Sequence, residues 1–198
     1  MGKEKYIKDV EELFRKSPVV TYKSVEMRVK KEKNVKQYTK QLIRNLILKG
    51  RIKRLTKGYY TYFDDNSLGI FCFKPSYLGL QDALSLHNLW EQETIPIIIT
   101  TRKVRQGIRK MIGGNVLIRR IEQRYLFGIE YYKQGDFWLP YSDIEKTFID
   151  LVYFKEKISN EVTNNIKKRI NKKKLDSYLK MYPIRVKNSV MKRLRGST

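Results

Sequence analysis

The sequence predicts an α+β protein: an N-terminal winged helix-turn-helix, then a mixed α+β domain with a helical basic tail. Three observations lead there. Within residues 7–63, apolar residues at helical spacing give way to strand-like alternation. Beyond residue 67 the two periods are mixed. Positive charge is concentrated at the two ends of the chain and absent on balance from its middle.

Ile7, Val10, Leu13 and Phe14 recur at helical spacing. Ser17-Pro18 stops that first helix, because proline lacks the N–H and its ring clashes with the preceding turn. Thr21 is the expected N-cap of a second helix carrying Val25 and Val29 on one face. A polar turn, Lys30-Lys31-Glu32-Lys33-Asn34, leads to a third helix from about Lys36 to Lys49, with Thr39, Leu42, Ile43, Leu46 and Ile47 as its apolar face. Gly50 follows at the left-handed position that commonly ends a helix. Arg51-Ile52-Lys53-Arg54-Leu55 and Tyr59-Tyr60-Thr61-Tyr62-Phe63 then read as two strands joined by Thr56-Lys57-Gly58. Tyr59, Tyr60 and Tyr62 are hairpin residues, of which at least one face should pack inward. Three short helices and a hairpin form the order of a winged helix, which places a DNA-binding domain at residues 1–64. Asp64-Asp65-Asn66-Ser67 is polar and turn-forming, a linker to a second domain at residues 67–198.

In that second domain, a helix is expected around Gly79–His87, with Leu80, Ala83, Leu84 and Leu86 apolar. Strands are expected at Ile95–Thr101, Asn115–Ile121 and Tyr125–Tyr132, with a short one at Phe137-Trp138-Leu139. Cys72, between Phe71 and Phe73, reads as a buried strand residue. Ser142-Asp143-Ile144-Glu145 is a capping box ahead of Ile144, Phe148, Leu151 and Val152. The tail, from about residue 155, is helical, lysine-rich and broken at Pro183.

The formal charge is +23, from 43 basic and 20 acidic side chains. Residues 1–63 carry 18 basic and 6 acidic groups, residues 64–154 carry 11 of each, and residues 155–198 carry 14 and 3. Such segregation suits a held polyanion better than a general solubility device, which would spread the excess. One cysteine and one histidine, Cys72 and His87, leave no internal disulfide and no Cys/His zinc site. No signal-peptide core is evident, and the apolar run Ile95–Ile99 is far shorter than the roughly 20 residues of a membrane helix. The chain therefore reads as soluble and cytoplasmic, without cofactor, metal or membrane partner.

The outward face of the third helix carries Lys36, Lys40 and Arg44 at i, i+4 and i+8, with Gln37 and Gln41 beside them. That pattern suits a recognition helix in a major groove, where Arg and Lys meet guanine edges or phosphates and Gln meets adenine. Lys53, Arg54 and Lys57 sit on the hairpin, where a wing meets the adjacent backbone. In the tail, Lys167-Lys168-Arg169 and Lys172-Lys173-Lys174 are dense enough for backbone contact. Two other classes compete. An RNA-binding module would draw on the 14 tyrosines as stacking surfaces. A metal-dependent nuclease would draw on Asp136, Asp143, Glu145 and Lys146. Such a site needs its second acid and lysine two apart on a strand, whereas Glu145 and Lys146 are adjacent at a helix start. His87 has no evident partner as a general base and reads as a polar helix-end residue. The chain is accordingly read as a binding protein and not as an enzyme.

The segment Gly50-Arg51-Ile52-Lys53-Arg54-Leu55-Thr56-Lys57-Gly58-Tyr59-Tyr60 resembles the end of the winged helix in AbiEi-type antitoxin/transcriptional regulators of type IV toxin–antitoxin systems. Leu80-Gln81-Asp82-Ala83-Leu84-Ser85-Leu86-His87-Asn88-Leu89, Ile97-Ile98-Ile99-Thr100-Thr101, Phe127-Gly128 and Ser142 to Leu151 resemble later motifs of that family, in the same order. The resemblance covers roughly residues 10–155. Asn88 stands where the family has glycine, and the tail beyond 155 has no counterpart. The resemblance implies a repressor of its own operon that opposes a nucleotidyltransferase-type toxin. The expected partners are a double-stranded DNA operator, a second copy of the chain, and that toxin.

Overall fold

The computed structural model describes residues 6–196. It is a mixed α+β structure with two sheets, and it divides into two compact units: Met1–Cys72 with Lys110–Asn115, and Phe73–Arg109 with Val116–Thr198.

The first unit begins with α1 (Ile7–Lys16), the two-residue strand β1 (Val20–Thr21), α2 (Tyr22–Arg28) and α3 (Val35–Leu48). The strands β2 (Lys53–Thr56) and β3 (Tyr59–Thr61) follow. Thr21 caps α2, its hydroxyl accepting from the Ser24 N–H at 3.1 Å. On α3, Thr39, Leu42, Ile43 and Leu46 are buried, the last three in one cluster with Val10, Phe14, Val25 and Val29. Each buried aliphatic side chain there stabilises by about 1.5–3 kcal/mol. Thr39 is tolerated on that face because its hydroxyl donates to the Val35 carbonyl at 2.7 Å. The helix ends as its glycine foretells: Gly50 has φ +65°, and the N–H groups of Gly50 and Arg51 reach the carbonyls of Ile47 and Leu46. The three strands run in the order β1-β3-β2, antiparallel throughout, with Val20 opposite Tyr60 and Arg54 opposite Tyr60 on the other side. Tyr60 packs inward and Gly58 supplies the positive φ of the tight turn. Asn66–Cys72 is a 3₁₀ turn, not the strand expected at Cys72. The Asp65 carboxylate nucleates it by accepting from both the N–H and the hydroxyl of Ser67, and Leu68, Ile70 and Cys72 are buried.

The second unit opens with β4 (Ser76–Leu78), α4 (Leu80–Leu86), β5 (Ile97–Thr100), β6 (Gly107–Met111) and β7 (Gly114–Arg120), of which the residues 110–115 group with the first unit. Next come β8 (Ile129–Gln134), β9 (Phe137–Ser142), α5 (Ile144–Tyr153), α6 (Asn160–Arg169), α7 (Lys172–Leu179) and α8 (Ile184–Arg195). The sheet runs β6-β7-β5-β4-β9-β8, with β5–β7 and β4–β9 parallel. The strand expected over Tyr125–Tyr132 is instead a 3₁₀ turn at Gln123–Tyr125 and a strand from Ile129, separated by Gly128 at φ +65°. β9 is longer than expected because Pro140, a strand-demoting residue, is accommodated inside it opposite Tyr131.

α5 starts where expected, but its cap is Asp143, which accepts from the Lys146 N–H at 2.7 Å. Ser142 does not cap it; its hydroxyl pairs with that of Thr147 at 2.7 Å. The basic tail is not an appended arm. Ile166, Leu175, Leu179 and Val190 from α6–α8 join Leu80, Leu84, Ile99 and Phe148 in one core, and Pro183 stands immediately before α8. Among the described residues, no helix is long and apolar enough to cross a membrane.

Candidate nucleic-acid interface

The apolar face of α3 turns inward, so the opposite face is fixed outward by the helical period. Lys36, Gln37, Lys40, Gln41 and Arg44 are all exposed there, and α3 contains no Asp or Glu. At 1.5 Å per residue, Lys36 and Arg44 lie about 12 Å apart along the axis, comparable to the width of a major groove. Gln37 accepts from the Asn34 side-chain amide at 2.9 Å, and Gln41 donates to Asn45 at the same distance. These bonds hold the amides in place without burying them.

The hairpin brings further cations. Arg54 and Lys57 are exposed, whereas Lys53 is half-buried and ion-paired with Asp64. Lys40, Arg44 and Arg54 converge around a hollow of about 300 Å³ between α3 and the hairpin, with Ile43 and Tyr60 in its lining. Among the described residues, the side chains of Lys36, Lys40, Arg44, Arg54 and Lys57 have no hydrogen-bond or ion-pair partner. Their charge is therefore uncommitted.

The tail residues divide differently. Lys167, Lys168, Lys172 and Lys173 are exposed and likewise unpaired. Arg169, although exposed, donates to the His87 carbonyl. Lys174 is drawn into a cluster of carboxylates: Asp143 at 3.0 Å, Glu130 at 3.4 Å and Glu145 at 3.5 Å. Partial burial opposes its charge, but the bond to Asp143 and the neighbouring carboxylates outweigh that and hold the ammonium above the ordinary lysine range. Tyr178 donates to Asp143 at 2.8 Å, and burial together with that bond pushes its phenol up to about 12. Tyr132 is likewise pushed up to about 12, by burial and its 2.6 Å bond to Glu130.

Of the nuclease-type residues, Asp143 and Glu145 come together only around the Lys174 ammonium, and each has other partners. Asp143 is spent on capping α5 and on Tyr178 and Lys174, and Glu145 accepts from the Asn171 N–H at 2.7 Å. Lys146 is wholly buried, and Asp136 lies in the β8–β9 turn. Among the described residues, no group of three or more His, Cys, Asp or Glu is placed to hold a metal. His87 closes α4 with its Nε2 at 2.9 Å from the Ser142 carbonyl.

Sequence reasoning missed one buried polar centre. Lys146 is ion-paired with Asp150 one turn on, its Nζ donates to the Tyr77 hydroxyl at 2.9 Å, and Tyr77 donates to Asp150 at 2.7 Å. Burial is the larger influence on each charge, pulling Lys146 down and pushing Asp150 up, while their mutual bond opposes both shifts. The local signal was a Lys/Asp pair at i, i+4 in a helix that also carries Ile144, Phe148, Ile149, Leu151 and Val152.

No family model and no curated protein matches the chain. Among solved structures, the crystal structure of the RV2827C protein from Mycobacterium tuberculosis is similar in fold. The alignment covers 97% of this chain and 76% of that one, with a TM-score of 0.60 and 13% identity. At that identity the likeness is one of fold alone.

Proposed function

We propose that the first unit is a winged helix-turn-helix, and that the protein is a sequence-specific duplex-DNA-binding transcriptional repressor resembling the AbiEi-type antitoxins. The carrying observation is the uncommitted cationic surface of α3 and its hairpin. Five unpaired cations stand on a helix face free of acids and on the adjoining turn. α3 is the recognition helix in this reading: Arg44 and Lys40 meet base edges or phosphates, and Gln37 and Gln41 meet adenine. Arg54 and Lys57 are wing contacts to the backbone. The protein acts by binding, not by catalysis, at an operator of its own operon. A homodimer on a two-fold operator and opposition to a nucleotidyltransferase-type toxin belong to the same reading through the resemblance.

The test is a mobility-shift selection from randomised duplexes, repeated with a K36A/K40A/R44A variant. The wild-type protein enriches a defined sequence, and the triple variant loses it. Substituting Arg44 alone costs about 1–3 kcal/mol at one base position if it reads a base edge. Unchanged selection by the triple variant refutes the assignment.

A second reading, as an RNA-binding module, has one observation in its favour. Tyr131 and Trp138 are 65% and 60% exposed on the β8–β9 hairpin, where Lys133 stands opposite Trp138. Exposed aromatic side chains beside a cation suit stacking on unpaired bases. Quenching of tryptophan fluorescence by single-stranded RNA, lost in W138A, would favour it over the duplex reading.

A further inference from the structure

Where α6, α7 and α8 meet, a hollow of about 300 Å³ is floored by Ile170, Leu175, Met191 and Leu194 and rimmed by Lys167, Lys172 and Arg195, with one acid, Asp176, among its lining residues. Met191 and Arg195 also line an adjoining groove along α8, beside Lys187 and Lys192. The apolar floor thus carries three cations and one acid, and two further cations stand along the adjoining groove, an excess of four positive charges from three helices. Among the described residues, the side chain of none of these five cations has a hydrogen-bond or ion-pair partner. Lys172 and Lys173 also occupy the first turn of α7, which contains no acid. Cations at a helix N-terminus oppose the helix dipole, so an anion bound there relieves a local repulsion.

We infer that this slot docks an acidic amphipathic segment of a partner protein. Charge complementarity calls for an anion, and the floor selects among anions. A nucleic-acid backbone carries no apolar group to cover the floor, and no floor residue is aromatic, so bases find no stacking platform. A membrane surface is met by protruding apolar side chains, whereas this site is recessed. A helix with apolar anchors at i, i+3 and i+4 and carboxylates on its flanks satisfies floor and rim together. Met191, unbranched and polarizable, adapts the floor to the anchor. This inference does not depend on the DNA reading of the first unit.

The test uses the full chain and fluorescence anisotropy with a labelled synthetic peptide of about 20 residues, leucine at helical spacing and glutamate elsewhere. Three competing probes are run beside it: the same peptide with serine for leucine, the same with glutamine for glutamate, and a random-sequence DNA duplex. Anionic phospholipid vesicles are a fourth. The variant is K172E/K187E. Both positions lie in the first turn of their helices, where a carboxylate is favoured by the dipole, which offsets its repulsion by Asp176 four residues after position 172, so the variant melts close to the parent. The acidic amphipathic peptide binds the parent, each altered peptide binds at least about tenfold more weakly, and K172E/K187E weakens the first peptide by at least about tenfold. Equal binding of the serine peptide overturns the inference, because charge alone would then suffice. So does an unaffected K172E/K187E variant, or no peptide binding below about 100 μM at about 50 mM salt. If DNA or vesicles bind and lose affinity in the variant while the peptide does not bind, the face belongs to that polyanion and the inference fails.

Discussion

Asp150→Asn isolates the energetic role of the buried centre. The substitution preserves size and an oxygen acceptor for Tyr77 but removes the negative charge beside Lys146. Both side chains are 0% exposed, so no water compensates the remaining cation. Removing one partner of a buried pair costs about 3–5 kcal/mol. An independent ceiling agrees: Lys146 can escape by giving up its proton, which costs about 5 kcal/mol at pH 7 for a group that ordinarily titrates near 10.5. The ceiling predicts a pH signature. If the folded variant holds Lys146 neutral while the unfolded chain binds the proton, the penalty shrinks by about 1.36 kcal/mol per unit as pH rises from 7 toward 10. Both tryptophans, Trp90 and Trp138, lie in the second unit, so their fluorescence during urea unfolding reports that unit specifically. The companion variant Y77F/K146M/D150L removes both charges together with the hydroxyl they satisfy, and lies within about 1 kcal/mol of the parent, or above it by up to about 4. A pH-independent loss below about 1 kcal/mol for D150N, or a companion variant as unstable as the single, would refute the reasoning.

Other expectations follow from particular geometries. Gly50→Ala costs about 1–2 kcal/mol in a thermal melt, because φ is +65° and a Cβ there meets nothing within 4 Å, leaving backbone strain alone. Asn88 has φ +54°, so Asn88→Gly is neutral or stabilising by up to about 1 kcal/mol, whereas Asn88→Ala is destabilising in the same assay. Tyr132 and Tyr178, both pushed up to about 12, ionise after the exposed tyrosines in an absorbance titration at alkaline pH. Since their folded pKa values are raised, the stability they confer is complete below the ordinary phenol value of about 10 and is lost as pH climbs to about 12; Y132F and Y178F flatten that loss. In the duplex-DNA reading proposed above, Lys57→Ala weakens binding to all duplexes alike and lowers the slope of log affinity against log salt by about 1, as a phosphate contact must; a change confined to one sequence would assign Lys57 to base reading.

The parts of this fold legible in the sequence are those whose signals are local. α3 declared itself through its apolar period, and Gly50 through the left-handed turn that follows. The outward cations were then fixed by subtraction. β1 and β4, of two and three residues, are too short to show any alternation, and they exist because β3 and β5 offer them hydrogen bonds from afar. Lys146 illustrates the same limit in the candidate chemistry. Its adjacency to Glu145 at a helix start argued against a nuclease lysine, but nothing local showed that Tyr77, 69 residues earlier in the chain, joins Asp150 in satisfying it as an interior cation. The tail makes the point about charge. Lys172, Lys173 and Lys174 are chemically identical and consecutive, but only Lys174 faces Asp143 and Glu145 across the packing of α7 on α5. A net charge of +23 therefore overstates what a polyanion can engage. What matters is the set of cations that the fold leaves unpaired on one continuous face. On α3 that set lies along one solvent-facing stripe; on α6–α8 it encircles an apolar floor. In the two readings proposed above, the same residue type serves two different kinds of recognition in one chain, and the distinction resides in what lies between the cations, not in their number.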